Sequence, residues 1–233
     1  MLKAIVFDFD GVLVDSEPLH FEAFLEVLRP LGVTFDYRQY LLEFIGFDDR
    51  DAFAHILDGT EAGADDDRAG RIAELCAHKQ TAFERLVKRG IEPIPGAMPL
   101  VDAAAQCMPI AIASGATMSD ITLILDQLGR RDVFEVIVSA DQVERSKPDP
   151  TSYALAVERL AALHPERALT PADCLAIEDT AAGLASARLA GLHTLGVATT
   201  GTPNQLADAE RTVETLTEVT LADLEAWFGL GVE

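Results

Sequence analysis

The chain has 233 residues, of which 49% are hydrophobic, and this length suits one globular domain or one domain with a smaller insert. Its formal net charge of -21 at pH 7, from 39 acidic and 18 basic residues, argues against nucleic acid or an anionic membrane as a partner. No apolar run approaches the roughly 18 residues of a membrane helix. Met1 leaves no room for a targeting peptide before the first strand, and the cysteines are scattered. We therefore expect a cytoplasmic protein with reduced cysteines.

The first predicted strand, residues 4–7, ends in two carboxylates. Asp8 and Asp10 flank Phe9 and precede Gly11. Carboxylates at the end of a buried strand are costly unless a cation or a reaction uses them, and the carboxyl ends of strands in open α/β sheets are where ligands bind. The pair is compatible with an acidic turn, or with a nucleophile and a proton-transferring partner beside Mg²⁺. A calcium loop is disfavoured, because residues 12–14 supply no side-chain oxygen.

A long stretch without a good strand follows and predicts a helical insert. A helix capped by Ser16 should stop at Gly32, a second helical piece should cover 51–57, and a long amphipathic helix should cover 71–89. The α/β pattern resumes at the Pro- and Gly-bearing segment 93–96, which indicates a hinge. We therefore predict a core domain of residues 1–16 and 92–233 and a helical cap domain of residues 17–91.

Beyond residue 96, strands alternate with helices. We predict strands at 109–113, 134–138, 174–177 and 193–198, with helices at 99–107, 117–128, 151–162 and 181–190 and a last helix near 227. This alternation predicts an α/β fold with a parallel sheet whose carboxyl ends share one edge. Ser114, Lys147 and the pair Glu178-Asp179 each follow one of these strands, so they can converge with Asp8 and Asp10.

Four segments, in this order, resemble the motifs of the haloacid dehalogenase superfamily of phosphotransferases. They are Asp8-Phe9-Asp10-Gly11, Ser114, Lys147-Pro148-Asp149-Pro150 and Glu178-Asp179. The segment Asp15-Ser16-Glu17-Pro18-Leu19-His20 narrows the resemblance to the subfamily that contains β-phosphoglucomutase and small sugar-phosphate phosphatases. The resemblance implies a Rossmann-like parallel sheet flanked by helices, with the helical insert as a mobile cap.

The acid pair and the lysine are predicted to be catalytic. An aspartate that attacks phosphorus forms an aspartyl-phosphate, which we assign to Asp8. Asp10 would act as general acid toward the leaving oxygen and later as base toward water. Lys147 would pair with the phosphoryl group and with Asp8.

Phosphate and metal would bind at the neighbouring strand ends. Ser114 and Gly115 precede a helix, where a hydroxyl and free amides suit phosphate oxygens. We expect Asp8 and Asp179 to bind Mg²⁺ through their side chains, and Glu178 to order a metal-bound water. A contribution of the Asp10 main-chain oxygen is implied only by the resemblance.

The predicted cap carries three candidate substrate contacts. His20 matches a histidine that contacts the partner acid in the mutases, and Lys79 matches a cap lysine that reaches the substrate. Arg50 lies one position from the Ser-Arg pair with which those mutases grip a second phosphate. His20 is equally compatible with a plain surface or packed role, and Lys79 with a solvated one.

Acidic residues stand where the mutases carry that Ser-Arg pair. Here Asp48 and Asp49 precede Arg50, and acids are poor partners for a second phosphate. We therefore predict a Mg²⁺-dependent phosphomonoester hydrolase that acts on a small sugar phosphate or another small phosphorylated metabolite. A hexose-phosphate mutase is the alternative, and a non-catalytic metabolite-binding regulator is less favoured. The sequence predicts no oligomeric state.

Overall fold

A computed structural model describes residues 1–44, 49–58, 67–200 and 202–229. The chain divides into two compact units. Unit 1 comprises Met1–Asp15 and Ile91–Glu233, and unit 2 comprises Ser16–Gly90. No helix in the described ranges is long and apolar enough to span a membrane.

Unit 2 consists of helices and their connections, with no strand among its described residues. Its helices are α1 (Glu17–Leu28), α2 (Tyr37–Glu43), α3 (Asp49–Leu57) and α4 (Arg68–Val87). Helix α1 continues into a 3-10 turn, and the chain then leaves the helix at Gly32, which has a φ of 74°. The predicted side-chain cap at Ser16 is wrong, because its backbone is already helical and its side chain makes no cap hydrogen bond.

An apolar cluster joins the four helices of unit 2. It includes Phe24 and Leu28 from α1, Phe53 from α3 and Leu75 from α4. The rings of Phe24 and Phe53 lie 5.0 Å apart between their centroids. Burial of these side chains supplies the main stabilising term for this small unit.

Unit 1 contains a six-stranded parallel sheet in the order β3-β2-β1-β4-β5-β6. The strands are β1 (Ala4–Phe7), β2 (Ile110–Ala113), β3 (Val136–Val138), β4 (Cys174–Glu178), β5 (His193–Val197) and β6 (Arg211–Val213). The predicted α/β fold with a parallel sheet is confirmed. The order reverses at β1, which lies between β2 and β4, so the carboxyl end of β1 is the switch point where open sheets bind ligands.

Five helices accompany the sheet in the described part of unit 1. They are α5 (Ala97–Ala105), α6 (Met118–Leu128), α7 (Thr151–Leu163), α8 (Ala181–Leu189) and α9 (Leu221–Gly229). Tyr153 and Leu160 of α7 share one buried cluster with Val6, Ala111 and Ala176 of the three central strands. This packing holds β1, β2 and β4 in register and so fixes the positions of the residues that follow them.

Candidate active site

The end of β1 presents Asp8 at the switch point. The Asp8 main-chain N–H donates to the Ile177 carbonyl of β4 at 2.9 Å, and the side chain is buried. The chain turns at once, because Gly11 takes a φ of 79°. A Cβ on Gly11 would overlap the Asp179 carboxylate, so glycine is required for the close approach of these two loops. Asp10 is half-buried on the same turn.

Lys147 lies between two carboxylates. Its ammonium donates to Asp8 Oδ1 at 2.6 Å, to Glu178 Oε1 at 2.6 Å and to the Ala113 carbonyl at 2.9 Å. Burial alone would lower the pKa of Lys147, but Asp8 and Glu178 outweigh it and raise the pKa above its ordinary value. Lys147 is therefore a permanent cation within reach of the predicted nucleophile.

Glu178 ends β4 and is fully buried. Its Oε1 also accepts from the Tyr153 hydroxyl at 2.9 Å, while Oε2 accepts from the amides of Asp179 and Thr180 and from the Thr180 hydroxyl. A carboxylate has about four lone-pair sites, so these donors together with Lys147 occupy it. A Cβ on Gly183 would overlap this carboxylate, which explains the glycine in the first turn of α8.

Asp179 presents an oxygen without a hydrogen-bond partner. Its Oδ2 accepts from the Thr200 hydroxyl, whereas Oδ1 is buried and has no partner among the described residues. Burial, and then the Glu178 charge, raise the pKa of Asp179 to about 6. The hydrogen bond from Thr200 opposes this shift. The α8 cap is Thr180, whose hydroxyl accepts from the Gly183 amide, so Asp179 is not needed to cap that helix.

The arrangement of these acids fits a divalent cation. Oxygens of Asp8, Glu178 and Asp179 all lie within 4.8 Å of one another. Burial, then the Glu178 charge, raises the pKa of Asp8 well above its ordinary value despite the opposing effect of Lys147. Three buried acids surround one ammonium, that of Lys147, so negative charge is in excess here. This excess and the unpaired Asp179 oxygen make a site that a cation can occupy.

The end of β2 offers donors for an anion. The Ser114 amide donates to the Val138 carbonyl at 2.9 Å, and the Ser114 hydroxyl accepts from the Ala116 amide at 2.9 Å. That hydroxyl therefore keeps its hydrogen for donation. Gly115 is exposed beside it, and Thr117, rather than Ser114, caps α6.

Unit 2 brings together two of the three predicted cap residues. Lys79 of α4 donates to His20 Nδ1 of α1 at 2.8 Å and to Asp49 Oδ1 of α3 at 2.6 Å. Burial, then the Lys79 charge, lowers the pKa of His20 well below its ordinary value. Arg50 is exposed on α3. The predicted role of Asp48 falls, with Gly46 and Phe47, outside the described residues.

Three contributors were not identified in the sequence. Tyr153, Thr180 and Thr200 all hold a carboxylate of the cluster through their hydroxyls. A tyrosine on the apolar face of the helix that follows Lys147 was the one signal available for Tyr153. Thr180 and Thr200 are ordinary loop residues in the sequence, and only the fold reveals their partners.

Comparison with known proteins gives consistent matches. A family model described as haloacid dehalogenase-like hydrolase matches residues 2–191. The chain is 34% identical over 202 residues to the protein CbbY of Rhodobacter capsulatus, covering 82% of this chain and 83% of that protein. It is 31% identical over 221 residues to the validoxylamine A 7'-phosphate phosphatase of Streptomyces hygroscopicus subsp. limoneus, covering 94% of this chain and 96% of that protein.

A solved structure of a related protein has the same fold over nearly the whole chain. A variant of CbbY from Rhodobacter sphaeroides, in complex with xylulose-(1,5)-bisphosphate, is 27% identical with a TM-score of 0.79 and covers 96% of this chain and 99% of that one. The family predicted from the four motifs is confirmed: the chain belongs to the haloacid dehalogenase-like hydrolases.

Proposed function

We propose that this hydrolase is a Mg²⁺-dependent phosphatase that cleaves the phosphomonoester of a small sugar phosphate through an aspartyl-phosphate on Asp8. The observation that carries the proposal is the buried Asp8 carboxylate, held by the Lys147 ammonium at 2.6 Å at the switch point of the sheet. Two relatives support the substrate class, since one is a validoxylamine A 7'-phosphate phosphatase and a variant of another was solved with xylulose-(1,5)-bisphosphate.

Lys147 holds one oxygen of Asp8 and thereby orients the nucleophile. In the first step an Asp8 oxygen forms a bond to phosphorus, the bond from phosphorus to the sugar oxygen breaks, and Asp10 gives its proton to that leaving oxygen. In the second step Asp10 takes a proton from water, the water oxygen bonds to phosphorus, and inorganic phosphate leaves Asp8 free. Ser114, Gly115 and Lys147 would hold the phosphoryl oxygens throughout.

The side chains of Asp8 and Asp179 and the main-chain oxygen of Asp10 would hold Mg²⁺. The ion would neutralise the negative charge of the phosphoryl oxygens in a protein whose net charge of -21 otherwise repels them. Glu178 would order a metal-bound water, although its own hydrogen bonds make it chiefly the counter-ion that fixes Lys147.

We also propose that unit 2 serves as a cap that selects the sugar. Arg50, exposed on α3, and His20 would meet the part of the substrate that does not react, and Lys79 would support them. The enzyme would act in the cytoplasm on a small metabolite rather than on nucleic acid or a membrane, which the acidic composition supports.

A phosphate-release screen over phosphorylated metabolites tests the proposal. We expect release from sugar phosphates only with Mg²⁺, and a loss of at least about 10³-fold in Asp8→Asn, since the covalent route is removed. The matched control is Asp15→Asn, an exposed acid close to the same turn, which should retain activity. Isomerisation of a hexose 1-phosphate primed by a sugar bisphosphate, at a rate well above phosphate release, would instead identify a mutase.

A further inference from the structure

The ammonium of Lys79 is enclosed within unit 2. Only 2% of the side chain is exposed, and the ammonium forms an ion pair with Asp49 at 2.6 Å. It also lies 4.9 Å from the ring centroid of Phe24 and 5.5 Å from that of Phe83. A buried lysine of this kind depends on its carboxylate, because an isolated charge in such surroundings is strongly unfavourable.

His20 occupies a second donor of the same ammonium. Its lowered pKa makes the ring neutral, and Nδ1 accepts from Lys79, so the ring hydrogen is on Nε2. The His20 ring is stacked on Phe83, with centroids 4.0 Å apart and planes 11° apart. The side chains of unit 2 therefore satisfy Lys79 from several directions, and its charge is neutralised before any ligand arrives.

Asp49 is the charged member of this group that is exposed enough to meet a ligand. Its side chain is 32% exposed, against 2% for Lys79. Asp51 is exposed on the same first turn of α3. A second phosphate placed there would meet carboxylates, and it could reach Lys79 only by displacing Asp49 from a buried ion pair.

We propose that Asp49, by pairing with Lys79, makes this enzyme select sugar monophosphates with an uncharged, hydroxyl-bearing remainder and reject sugar bisphosphates. This inference rests on the proposed function, in which unit 2 meets the part of the substrate that does not react. The relative from Rhodobacter sphaeroides was solved with a sugar bisphosphate, so the selection would separate this chain from a protein of the same fold.

The test compares kcat/KM for fructose 1-phosphate and fructose 1,6-bisphosphate, with p-nitrophenyl phosphate as a substrate that lacks a sugar. We expect the wild type to favour the monophosphate by at least about tenfold, and Asp49→Asn to reduce that preference by at least about fivefold. The matched control Asp51→Asn removes the same charge from the same turn and leaves Asp49, the ion-pair partner of Lys79, in place, and it should change the preference less than about twofold.

A double variant shows whether Lys79 carries the effect. In Asp49→Asn/Lys79→Gln the increase in kcat/KM for the bisphosphate that we expect in Asp49→Asn should disappear, because the freed ammonium is gone. Circular dichroism checks that each variant is folded, and Asp49→Ser replaces Asp49→Asn if the latter is not. Turnover of p-nitrophenyl phosphate reports the core chemistry separately in every variant.

Three results would overturn the inference while leaving the phosphatase intact. The first is a wild type that prefers the bisphosphate. The second is an unchanged preference in folded Asp49→Asn and Asp49→Ser. The third is an increase in kcat/KM for the bisphosphate that persists in the variant without Lys79. A wild type that releases phosphate from none of the substrates would contradict the proposed function itself.

Discussion

Replacement of Lys147 by methionine is the sharpest test of the charge arrangement at the site. The ammonium forms ion pairs at 2.6 Å with both Asp8 and Glu178, and 12% of its side chain is exposed. Removal of one partner from a buried ion pair costs about 3–5 kcal/mol, because the other charge is left uncompensated. We expect Lys147→Met to lower the free energy of unfolding by about 3–4 kcal/mol at pH 7.5, since the residual exposure reduces the cost slightly.

The loss should shrink as the pH falls. Burial and the Glu178 charge already raise the pKa of Asp8, and Lys147 lowers it. Removal of Lys147 therefore raises the pKa of Asp8 further. The folded variant then binds a proton on Asp8 at a higher pH than the folded wild type does, whereas the unfolded chain, with an ordinary aspartate pKa, does not bind it between pH 7.5 and 5. One such proton stabilises the folded state by up to about 1.4 kcal/mol per pH unit of decrease, so the gap to the wild type narrows.

Urea unfolding in the presence of a chelator measures this effect. The one tryptophan of the chain, Trp227, is buried in unit 1 and reports its unfolding by fluorescence. Arg167→Met is the matched control, an exposed basic residue of the same unit, and should change stability by less than about 0.5 kcal/mol. A loss under about 1 kcal/mol for Lys147→Met, or a gap that widens toward pH 5, would refute the reasoning.

Three further predictions concern the same site. Tyr153→Phe should lower the free energy of unfolding by about 1.5–3 kcal/mol, seen in urea unfolding, because a hydrogen bond to the charged Glu178 is lost; no change would mean that the other donors, from Lys147, Asp179 and Thr180, fix that carboxylate without it. Gly183→Ala should be destabilising by about 1–3 kcal/mol in the same assay although alanine favours helix, because the new Cβ overlaps Glu178, and an increase in stability would contradict this packing. Ca²⁺ should inhibit phosphate release by Mg²⁺-loaded enzyme, because it takes more oxygen ligands in looser geometry, and full activity after exhaustive chelation would exclude the metal-dependent mechanism.

The parts of the site that were predictable lie at strand ends. Asp8, Ser114 and Glu178 follow or end short apolar runs, and parallel strands bring their carboxyl ends to one edge, so a local pattern and one topological rule were enough. The same reasoning predicted the parallel sheet. It missed β6, because Arg211–Val213 is only three residues long and mostly exposed, and so carries no apolar run.

Contacts between side chains far apart in the sequence could not be predicted. Tyr153 and Glu178 are 25 residues apart, and Lys79 and Asp49 are 30 residues apart. Each contact depends on how helices pack, which neither periodicity nor motif spacing encodes. Asp49 was interpreted from the sequence only as an acid unsuited to phosphate, whereas in the structure it is the partner of a buried lysine.

The two points at which the chain leaves and re-enters unit 1 lie side by side, and this has an evolutionary consequence. Val14 pairs with Pro93 in an isolated bridge, and the Ile94 amide donates to the Leu13 carbonyl at 2.9 Å, so the chain leaves and re-enters the sheet domain at neighbouring points. An insert with adjacent ends can be lengthened, shortened or exchanged without moving the strands on either side. With unit 2 as the substrate-selecting cap that we propose, the same core domain could acquire new substrates by replacement of residues 16–90 while Asp8, Lys147 and Asp179 stay in place.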